Sequence, residues 1–455
     1  MKVLLVFPRF RYPSGDPPLG VAILAASASK VPGTRVNILD GTFLGRRRLE
    51  ARLLEERQDL YGFSVMTSTF RDACELARSI KRRHPDARVV FGGPHPTVLP
   101  ESTLAESSVD AIVTGEGEGP FREIVARGGA FEGIPGVAFK RDGRVVDNGP
   151  APVAADLDAL PFPAYDLLDM ARYTALWFQM DAVSPDLRGT NVLATRGCPF
   201  RCSFCQPTLS RLFGTRLRRR SPDNIVRELR MLKERFGIGG FMFADDTLNV
   251  DSAWLKSLCG ALLEARLGLS WSCNMRADLF RSEDLQRMKE AGLRKVFIGM
   301  ESAQQRILDD VYHKDVTVGQ VEEAVRIAHS MELKIQGYFM LGAPSETIEE
   351  IRRTVRFACA LPIDDATFSI ATPLPATHLY EMTRQSIELP AEDMDYYRRY
   401  AYGKQFGLGQ RSLTYEKIRA YGLFYLSGAR KANLARTLSS RRGIRNLFAK
   451  LKRLG

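Results

Sequence analysis

The sequence predicts an α/β protein with two successive parallel sheets, first a doubly wound sheet and then a partial (β/α)6 barrel, followed by a helical C-terminal region. The first 150 residues alternate β-rich runs with helical patterns, and a second alternation of this kind occupies residues 189–385. Between them, PAPVAADLDALPFP at 150–163 has no periodicity and is typical of a linker. A chain of 455 residues is long enough for a separate core in each domain.

Five strand-like runs predict the N-terminal sheet, in the order KVLLVF, RVNILD, LYGFSV, ARVVFGG and DAIVTG. Helical segments separate them, so we expect parallel strands in a Rossmann-like domain over residues 1–149. Ligands of such sheets bind at the carboxyl ends of the strands, which here carry the glycine-rich sequences GGPHPT (92–97) and TGEGEG (114–119). A dinucleotide site is not expected, because no GxGxxG follows the first strand.

Six further strand-like runs predict the second sheet, in the order NVLATRG, GFMFADD, LSWSCNM, KVFIGME, KIQGYFML and ATFSIATP. A helical segment follows each of the first five. Two helix starts are marked by Ser221 before a proline and by the capping-box pair Thr317 and Gln320. We assign residues 150–188 to the linker and 189–385 to this barrel domain, whose chemistry is expected at the carboxyl ends of its strands. Residues 386–455 form the helical, basic C-terminal region.

Three cysteines follow the first strand of the barrel, in the sequence RGCPFRCSFCQP. Cys198, Cys202 and Cys205 have the spacing CxxxCxxC. A structural zinc site needs four ligands, and the other four cysteines are single and widely spread. Reduced structural cysteines are the simpler interpretation, which their clustering disfavours. Three thiolates that hold a four-iron, four-sulfur cluster leave the fourth iron open, as a reactive cluster requires.

This motif resembles the hallmark of the radical S-adenosylmethionine (SAM) superfamily, in which an aromatic residue, here Phe204, precedes the last cysteine. The later strand ends match as well, with DD (245–246), NMRAD (274–278), GMES (299–302), FMLGAPSET (339–347) and TPLPATHLY (372–380). The resemblance implies a 4Fe-4S cluster on the three cysteines and reductive cleavage of SAM to a 5′-deoxyadenosyl radical. The SAM-binding residues that it implies are Phe204, Asp245, Asp246, Arg276, Glu301 and Gly342.

Two of these assignments have structural alternatives. Arg276 could clamp the SAM carboxylate, or it could pair with Asp278 or Asp245. We expect one of Asp245 and Asp246 to contact the SAM ammonium group and the other to cap the next helix.

Other positions leave further questions for the structure. Glu301 is expected at the SAM ribose, and a solvated carboxylate at the rim is the alternative. The chain departs from the usual superfamily sequence at Ser345, Ala376 and Ala303, where glycine is more common.

The N-terminal domain resembles the cobalamin-binding domain that is fused to one large radical SAM branch, through PPLGVAILAA (17–26), both glycine-rich strand ends and LPFPAYDLL (160–168). The resemblance covers residues 1 to about 385. The cobalamin contacts that it implies are Pro18, Gly20, Asp40, Thr42, Ser64, Thr67, Gly92, Gly93, Pro94, Thr97, Gly115 and Glu116.

The lower ligand of cobalt departs from the common pattern. The usual corrinoid motif is DxHxxG, and this chain has DGTFLG at 40–45, with Thr42 at the histidine position. A hydroxyl is a poor cobalt ligand beside an imidazole. We therefore expect cobalamin to bind without a histidine under its lower face, and loss of cobalamin binding is the alternative.

The leading hypothesis is a cobalamin-dependent radical SAM methyltransferase that acts on an unactivated carbon of a small molecule, natural product or lipid. One alternative is a cyclase or rearrangement enzyme of the bacteriochlorophyll-cyclase type. A methylthiotransferase would need a second cysteine triad in the N-terminal domain, where only Cys74 lies. A corrinoid sensor without enzymatic activity would not need the cysteine triad. The sequence does not identify a catalytic residue, and we expect Tyr338 and Phe368 to shape the substrate pocket.

The net charge of +12 is concentrated near the C-terminus. Between Arg411 and Gly455 there are twelve Lys or Arg residues and one acid, Glu416, which gives a net charge of +11. GIRNLFAKLKRLG (443–455) predicts an amphipathic helix that either packs on the barrel or lies on an anionic membrane. We do not expect nucleic-acid binding, because no recognised RNA or DNA module accompanies this charge.

The N-terminal apolar run ends at Pro8 and is too short for a signal peptide. Seven cysteines in a long chain do not form a disulfide framework, and the thiolate cluster needs a reducing compartment. We therefore expect a cytoplasmic protein, with peripheral contact at the inner membrane face as an option. The expected partners are the substrate and an electron donor such as flavodoxin or ferredoxin.

Overall fold

The structure is a computed structural model that describes residues 1–10, 14–387, 390, 408–428 and 430–431. These residues form two compact units. The first contains Met1–Met170 and Pro207–Arg218, and the second contains Ala171–Gln206, Arg219–Pro390 and the C-terminal described residues.

Two large sheets organise the units. The strands are β1 Lys2–Phe7, β2 Arg35–Asp40, β3 Leu60–Ser64, β4 Arg88–Gly92, β5 Ala111–Val113, β6 Val137–Arg141, β7 Arg144–Asp147, β8 Gly189–Val192, β9 Thr195–Arg196, β10 Arg218–Arg219, β11 Gly240–Phe243, β12 Ser270–Met275, β13 Leu293–Glu301, β14 Lys334–Leu341 and β15 Asp365–Ile370. The α-helices are α1 Leu19–Ala28, α2 Arg46–Glu55, α3 Phe70–Arg83, α4 Pro94–Val98, α5 Pro100–Ala105, α6 Glu118–Ala126, α7 Met170–Leu176, α8 Thr208–Phe213, α9 Pro222–Phe236, α10 Ser252–Ala265, α11 Ser282–Glu290, α12 Val318–Ser330, α13 Ile348–Ala360, α14 His378–Thr383 and α15 Gln410–Tyr425.

The first sheet has the strand order β2-β1-β3-β4-β5-β6-β7. Strands β1 to β5 are parallel, which confirms the five predicted strands and their doubly wound arrangement. Helices cover both faces, with Leu53 and Ile80 packed on one face and Val21 and Ile124 on the other. Strands β6 and β7 add an antiparallel hairpin that the sequence analysis did not predict.

The second sheet has the order β15-β14-β13-β12-β11-β8, and all of its strand pairs are parallel. The six predicted strands are therefore confirmed, and the sheet remains open with β15 and β8 at its edges. The predicted helix starts are present too. Ser221 Oγ accepts a hydrogen bond from Asn224 N at 3.2 Å, and Thr317 and Gln320 form a reciprocal capping box.

The C-terminal helix α15 covers the edge strand β15. Phe368 N donates a hydrogen bond to Tyr421 Oη at 3.1 Å, while Phe424 is fully buried against Phe368. Tyr425 Oη bonds the carboxylate of Asp365. An exposed sheet edge is a site for unwanted pairing, and here a helix protects it. The predicted amphipathic segment at 443–455 lies outside the described residues.

Residues 171–188, the later part of the predicted linker, pack within the second unit. Trp177 and Met180 are buried against Met242 and Phe297 on one face of the second sheet. Among the residues that the structure describes, none of the helices has the length and apolar character that a membrane crossing requires.

Candidate functional site

The three clustered cysteines lie on a loop that directly follows β9, after the first strand of the second sheet. All three are free thiols. Ser203, at the centre of the loop, donates from its backbone N to Tyr312 O at 2.8 Å and from its Oγ to Val311 O at 2.6 Å. Leu379 N donates to Ser203 O at 2.9 Å. The loop is thus fixed by two segments that are distant in sequence.

Gln206, at the end of this cysteine loop, makes one hydrogen bond within the loop and one to a distant segment. Gln206 Nε2 donates to Phe200 O at 3.1 Å, and His378 N donates to Gln206 O at 2.8 Å. The ring of Phe204 meets Tyr312 edge to face, with 5.4 Å between the centroids. These contacts orient the loop through groups other than the thiols, which remain available for a ligand.

The environment of the thiols fits a cluster that brings its own positive charge. Burial raises the pKa of Cys198, Cys202 and Cys205, so each thiolate needs a compensating cation. No group of three or more His, Cys, Asp or Glu side chains within the described ranges converges as a single bound metal ion would require. In a four-iron cluster each cysteine binds a different iron, so its ligands do not meet at one ion.

Arg276 lies beside the cysteine loop and makes an ion pair with Asp278. Its Nε and Nη2 donate to the two carboxylate oxygens at 3.0 and 3.2 Å. Nη2 also donates to Lys314 O at 2.6 Å, and the guanidinium carbon lies 3.7 Å from the ring centroid of Phe200. Nη1 approaches Cys202 Sγ at 3.5 Å. Of the two structural alternatives for Arg276, the pairing with Asp278 is formed and that with Asp245 is not.

The two aspartates at the end of β11 have different environments. Asp245 is buried and accepts hydrogen bonds from Ala194 N at 3.0 Å and Thr195 Oγ1 at 2.6 Å. Burial raises its pKa to about 6 in spite of these donors. Asp246 is exposed as a residue, although desolvation of its carboxyl group raises its pKa as well. Neither caps the next helix, as one was expected to do, because Asp251 caps α10 instead.

Glu301 ends β13 in a strained and buried position. Its φ is +58°, and the register between β13 and β14 shifts between Gly299 and Glu301. Its carboxylate pairs with Lys314 Nζ at 2.5 Å, with both side chains 7% exposed. The alternative of a solvated rim carboxylate is therefore wrong. A Cβ at Gly299 would lie 2.5 Å from Glu301 Oε1 and 2.6 Å from Lys314 Nζ, so the missing side chain makes room for the pair.

Gly342 follows β14 with φ +78°, a conformation that favours glycine. Its backbone N and that of Ala343 donate to Glu346 Oε2 at 2.6 and 2.9 Å. Burial raises the pKa of Glu346 to about 7. A Cβ at Gly342 would lie 2.6 Å from Leu413 Cδ2 of α15. Glu346 and Leu413 are not among the residues predicted from the sequence, although Glu346 lies within the motif FMLGAPSET at 339–347.

The positions where glycine is more common in the superfamily fall into two groups. Ser345 and Ala376 have φ of +65° and +62°, whereas Ala303 does not adopt a positive φ. The backbone is therefore strained at Ser345 and Ala376, where glycine would adopt the same φ without strain.

The predicted cobalamin residues lie at the carboxyl ends of the five parallel strands of the first sheet and in the turns and helix starts that follow them. Three of them interact directly. Thr97 Oγ1 donates to Gly93 O at 2.8 Å and accepts from Gly115 N at 3.0 Å. Gly93 has φ +98°, and a Cβ there would lie 3.1 Å from Val65 O. This edge is built for close backbone approach, as a large planar ligand requires.

Other predicted cobalamin residues have structural partners. The buried Glu116 carboxylate pairs with Arg218 Nη2 at 2.8 Å and accepts from Ala154 N at 2.8 Å. Asp40 Oδ1 accepts from Thr42 N at 2.9 Å, which is the contact of an Asx turn, and Thr42 is 1% exposed. Glu116 thus ties Arg218 and the segment before it to the glycine-rich loop.

The expected pocket residues lie on opposite faces of the second sheet. Tyr338 stacks on Phe297, next to the buried Trp177. Phe368 instead packs against Phe339 and α15, so it does not line a common pocket with Tyr338. Side chains alternate along a strand, and Phe368 pairs with Phe339, the neighbour of Tyr338, so the two expected residues take opposite faces.

Comparison with known proteins places this geometry in a family. The model of the radical SAM superfamily matches residues 192–358, and that of the B12 binding domain matches residues 14–125. The chain is 36% identical over 396 residues to an uncharacterised methyltransferase of Pyrococcus horikoshii. The match covers 84% of this chain and 83% of that protein. The chain belongs to the cobalamin-dependent radical SAM family.

Two further members of this comparison extend the range of similarity. An anaerobic magnesium-protoporphyrin IX monomethyl ester cyclase of Cereibacter sphaeroides is 27% identical over 410 residues, and the match covers 86% of this chain and 64% of the cyclase. The radical SAM methyltransferase TsrM of Kitasatospora setae, solved with cobalamin and a 4Fe-4S cluster, has a TM-score of 0.69 and 22% identity. That match covers 85% of this chain and 78% of TsrM. At this identity the likeness to TsrM is one of fold.

Proposed function

We propose that this chain is a cobalamin-dependent radical SAM methyltransferase that methylates an unactivated carbon of a small molecule, natural product or lipid. The observation that carries the proposal is the cysteine loop, in which Cys198, Cys202 and Cys205 are free thiols on an anchored loop after the first barrel strand. The chain belongs to the cobalamin-dependent radical SAM family, and its 36% identical relative is described as a methyltransferase.

The three cysteines hold the 4Fe-4S cluster in this proposal. The cluster, when bound, supplies the electron that cleaves SAM. The chain contributes a loop whose anchors at Ser203 and Gln206 leave the thiols free, and a surrounding that excludes much of the water around them. These features support cluster binding without any fourth cysteine.

SAM binds at the neighbouring strand ends. Asp246, the exposed member of its pair, binds the ammonium group, and Glu301, held by Lys314, accepts from the ribose hydroxyls. The backbone around Gly342, which Glu346 fixes, and the ring of Phe204 line the remaining sides. Four of the five N–H groups of Arg276 already have partners, so it retains one for the SAM carboxylate.

Cobalamin binds at the glycine-rich edge of the first sheet and carries the transferred methyl group. The close contacts among Gly93, Thr97 and Gly115 shape this edge. It is completed by the strand ends, turns and helix starts that carry Pro18, Gly20, Ser64, Thr67, Gly92 and Pro94. Asp40 and Thr42 hold their own turn, and Thr42 is not a cobalt ligand. Glu116 acts through Arg218 as a support for the loop.

A cyclisation or rearrangement is the second candidate, which the similarity to the cyclase of Cereibacter sphaeroides supports. Methyl-labelled SAM separates the two. Methyl transfer requires label in the product together with both 5′-deoxyadenosine and S-adenosylhomocysteine. Formation of 5′-deoxyadenosine without S-adenosylhomocysteine contradicts the methyltransferase proposal and favours the cyclase reaction.

Two partners belong to the proposal beyond the substrate. A reduced flavodoxin or ferredoxin delivers the electron, and the basic segment at 443–455 contacts an anionic membrane. Truncation after Ser440 tests the second contact by vesicle flotation. Salt-sensitive binding of the full chain that is lost on truncation supports it, and absence of binding by the full chain contradicts it.

A further inference from the structure

Within the part of the chain that the structure describes, Cys202 differs from the other two clustered cysteines in having a cationic hydrogen-bond donor at its sulfur. Nη1 of Arg276 lies 3.5 Å from Cys202 Sγ, within the distance expected for an N–H···S hydrogen bond. Cys202 is thus the clustered cysteine whose sulfur lies in direct contact with a fixed positive charge.

The guanidinium group of Arg276 is held in one orientation. Asp278 accepts hydrogen bonds from two of its N–H groups, and Lys314 O accepts one from a third. The ring of Phe200 stacks on the guanidinium face, with 3.7 Å between the guanidinium carbon and the ring centroid. Only 6% of Arg276 is exposed. A side chain with so many fixed partners cannot swing freely towards a substrate, but it keeps one Nη1 N–H group directed at the sulfur.

Hydrogen bonds to the sulfur ligands and nearby positive charge are two of the terms that set the potential of an iron–sulfur cluster. Reduction adds one electron to the cluster and increases the negative charge on its thiolates. A fixed cation at one thiolate therefore stabilises the reduced form more than the oxidised form. The consequence is a higher reduction potential, with no change in the ligands themselves.

We propose that Arg276 is a positioning residue for Cys202 and raises the reduction potential of the cluster, so that its main partner is the cluster and not the SAM carboxylate. This inference rests on the proposed cluster at Cys198, Cys202 and Cys205. Asp278 and Phe200 act as supports that hold the guanidinium in place.

The test is a redox titration of the reconstituted cluster, followed by electron paramagnetic resonance in the absence of SAM. We expect Arg276→Gln to keep the iron content but lower the ratio of reduced to oxidised cluster at fixed potential by about tenfold, equivalent to ~59 mV for one electron. Arg276→Lys keeps the positive charge but not the planar guanidinium with its several fixed donors. We expect a smaller shift of the reduction potential in the same direction. Arg306→Gln removes one surface charge from the same unit and serves as the control.

The outcomes separate this inference from the proposed function. A wild-type protein that binds no cluster overturns the proposed function. The inference is overturned if Arg276→Gln keeps its iron content and its reduction potential is unchanged. If that variant also binds SAM at least tenfold more weakly, the result supports a carboxylate clamp. If Arg276→Gln loses its cluster, Arg276→Lys decides, because an unchanged potential in that variant also overturns the inference.

Discussion

Glu301 shows how a single residue in this site combines strain with charge. A left-handed backbone at a glutamate costs ~1–3 kcal/mol and persists only where the surrounding structure holds it. Here the ion pair with Lys314 holds it, and Gly299 leaves the space for both side chains. Such strained residues are common at ligand sites, which agrees with a role in SAM binding.

Ala376 provides a test of backbone strain at the same end of the barrel. Because its φ is +62°, we expect Ala376→Gly to raise the free energy of unfolding by about 0.5–1 kcal/mol. Ala303 does not have a positive φ, so Ala303→Gly should lower the free energy of unfolding by a similar amount. Urea denaturation measures both, and a lower midpoint for Ala376→Gly contradicts the strain argument.

Glu346 should make stability depend on pH. Its pKa rises to about 7 in the folded state because of burial, so between its unfolded pKa and about pH 7 the folded protein binds more protons than the unfolded one. Its contribution to stability is therefore greatest at low pH and falls as the pH rises to about 7.

The variant Glu346→Gln isolates this contribution because glutamine does not titrate. Relative to Glu346→Gln, the wild type should lose about 3 kcal/mol of unfolding free energy between about pH 4.5 and about pH 7.5. The exposed Glu349→Gln is the control, since hydrogen bonding to Arg356 lowers the pKa of Glu349 and so gives the opposite sign. A pH-independent difference between wild type and Glu346→Gln contradicts the account.

The site residues divide into those that local sequence predicts and those that only the fold brings together. Cys198, Cys202 and Cys205 were predictable because their spacing within one loop carries the chemistry. Lys314 was not predictable, because its partners are distant in sequence. It pairs with Glu301 at the end of β13, and its backbone oxygen accepts from Arg276, which follows β12 and lies 38 residues earlier in the chain. Neither position has a periodicity or motif that encodes the partner.

At the scale of the elements, the strands that the sequence predicts are the parallel ones, and the antiparallel hairpin of β6 and β7 is the part that it does not predict. All eleven predicted strands belong to the parallel parts of the two sheets, where most of the buried side chains are apolar. Strand β7 is mostly exposed, and so it lacks that signal. The turn at Asp142 and Gly143, both with positive φ, is nevertheless typical of a two-residue hairpin and was visible in the sequence.

Helix α15 should contribute to stability through its cover of β15. Tyr421→Phe removes the acceptor of the Phe368 amide, and we expect a loss of about 1–2 kcal/mol because a buried N–H group loses its partner. Tyr415→Phe, on the exposed side of the same helix, should change the free energy of unfolding by less than about 0.5 kcal/mol. Equal effects in the two variants would show that α15 does not protect this strand edge.

At the scale of the whole molecule, charge and chemistry lie in different parts of the sequence. The net charge of +11 counted from Arg411 to Gly455 is close to the +12 of the full chain, so the rest of the chain is nearly neutral. The proposed cofactor residues all precede this basic region. A variant that ends at Ser440 should therefore keep its cluster content while it loses attraction to anionic surfaces.

The central claim is that Cys198, Cys202 and Cys205 hold a cluster that cleaves SAM. The most direct measurement is iron content and 5′-deoxyadenosine formation after anaerobic reconstitution, with the triple replacement by alanine beside the wild type. Cys359→Ala, at another partly buried free cysteine, is the matched control. The account predicts about four irons per chain and SAM cleavage in the wild type and in the control, and neither in the triple variant. Formation of 5′-deoxyadenosine by the triple variant would contradict it.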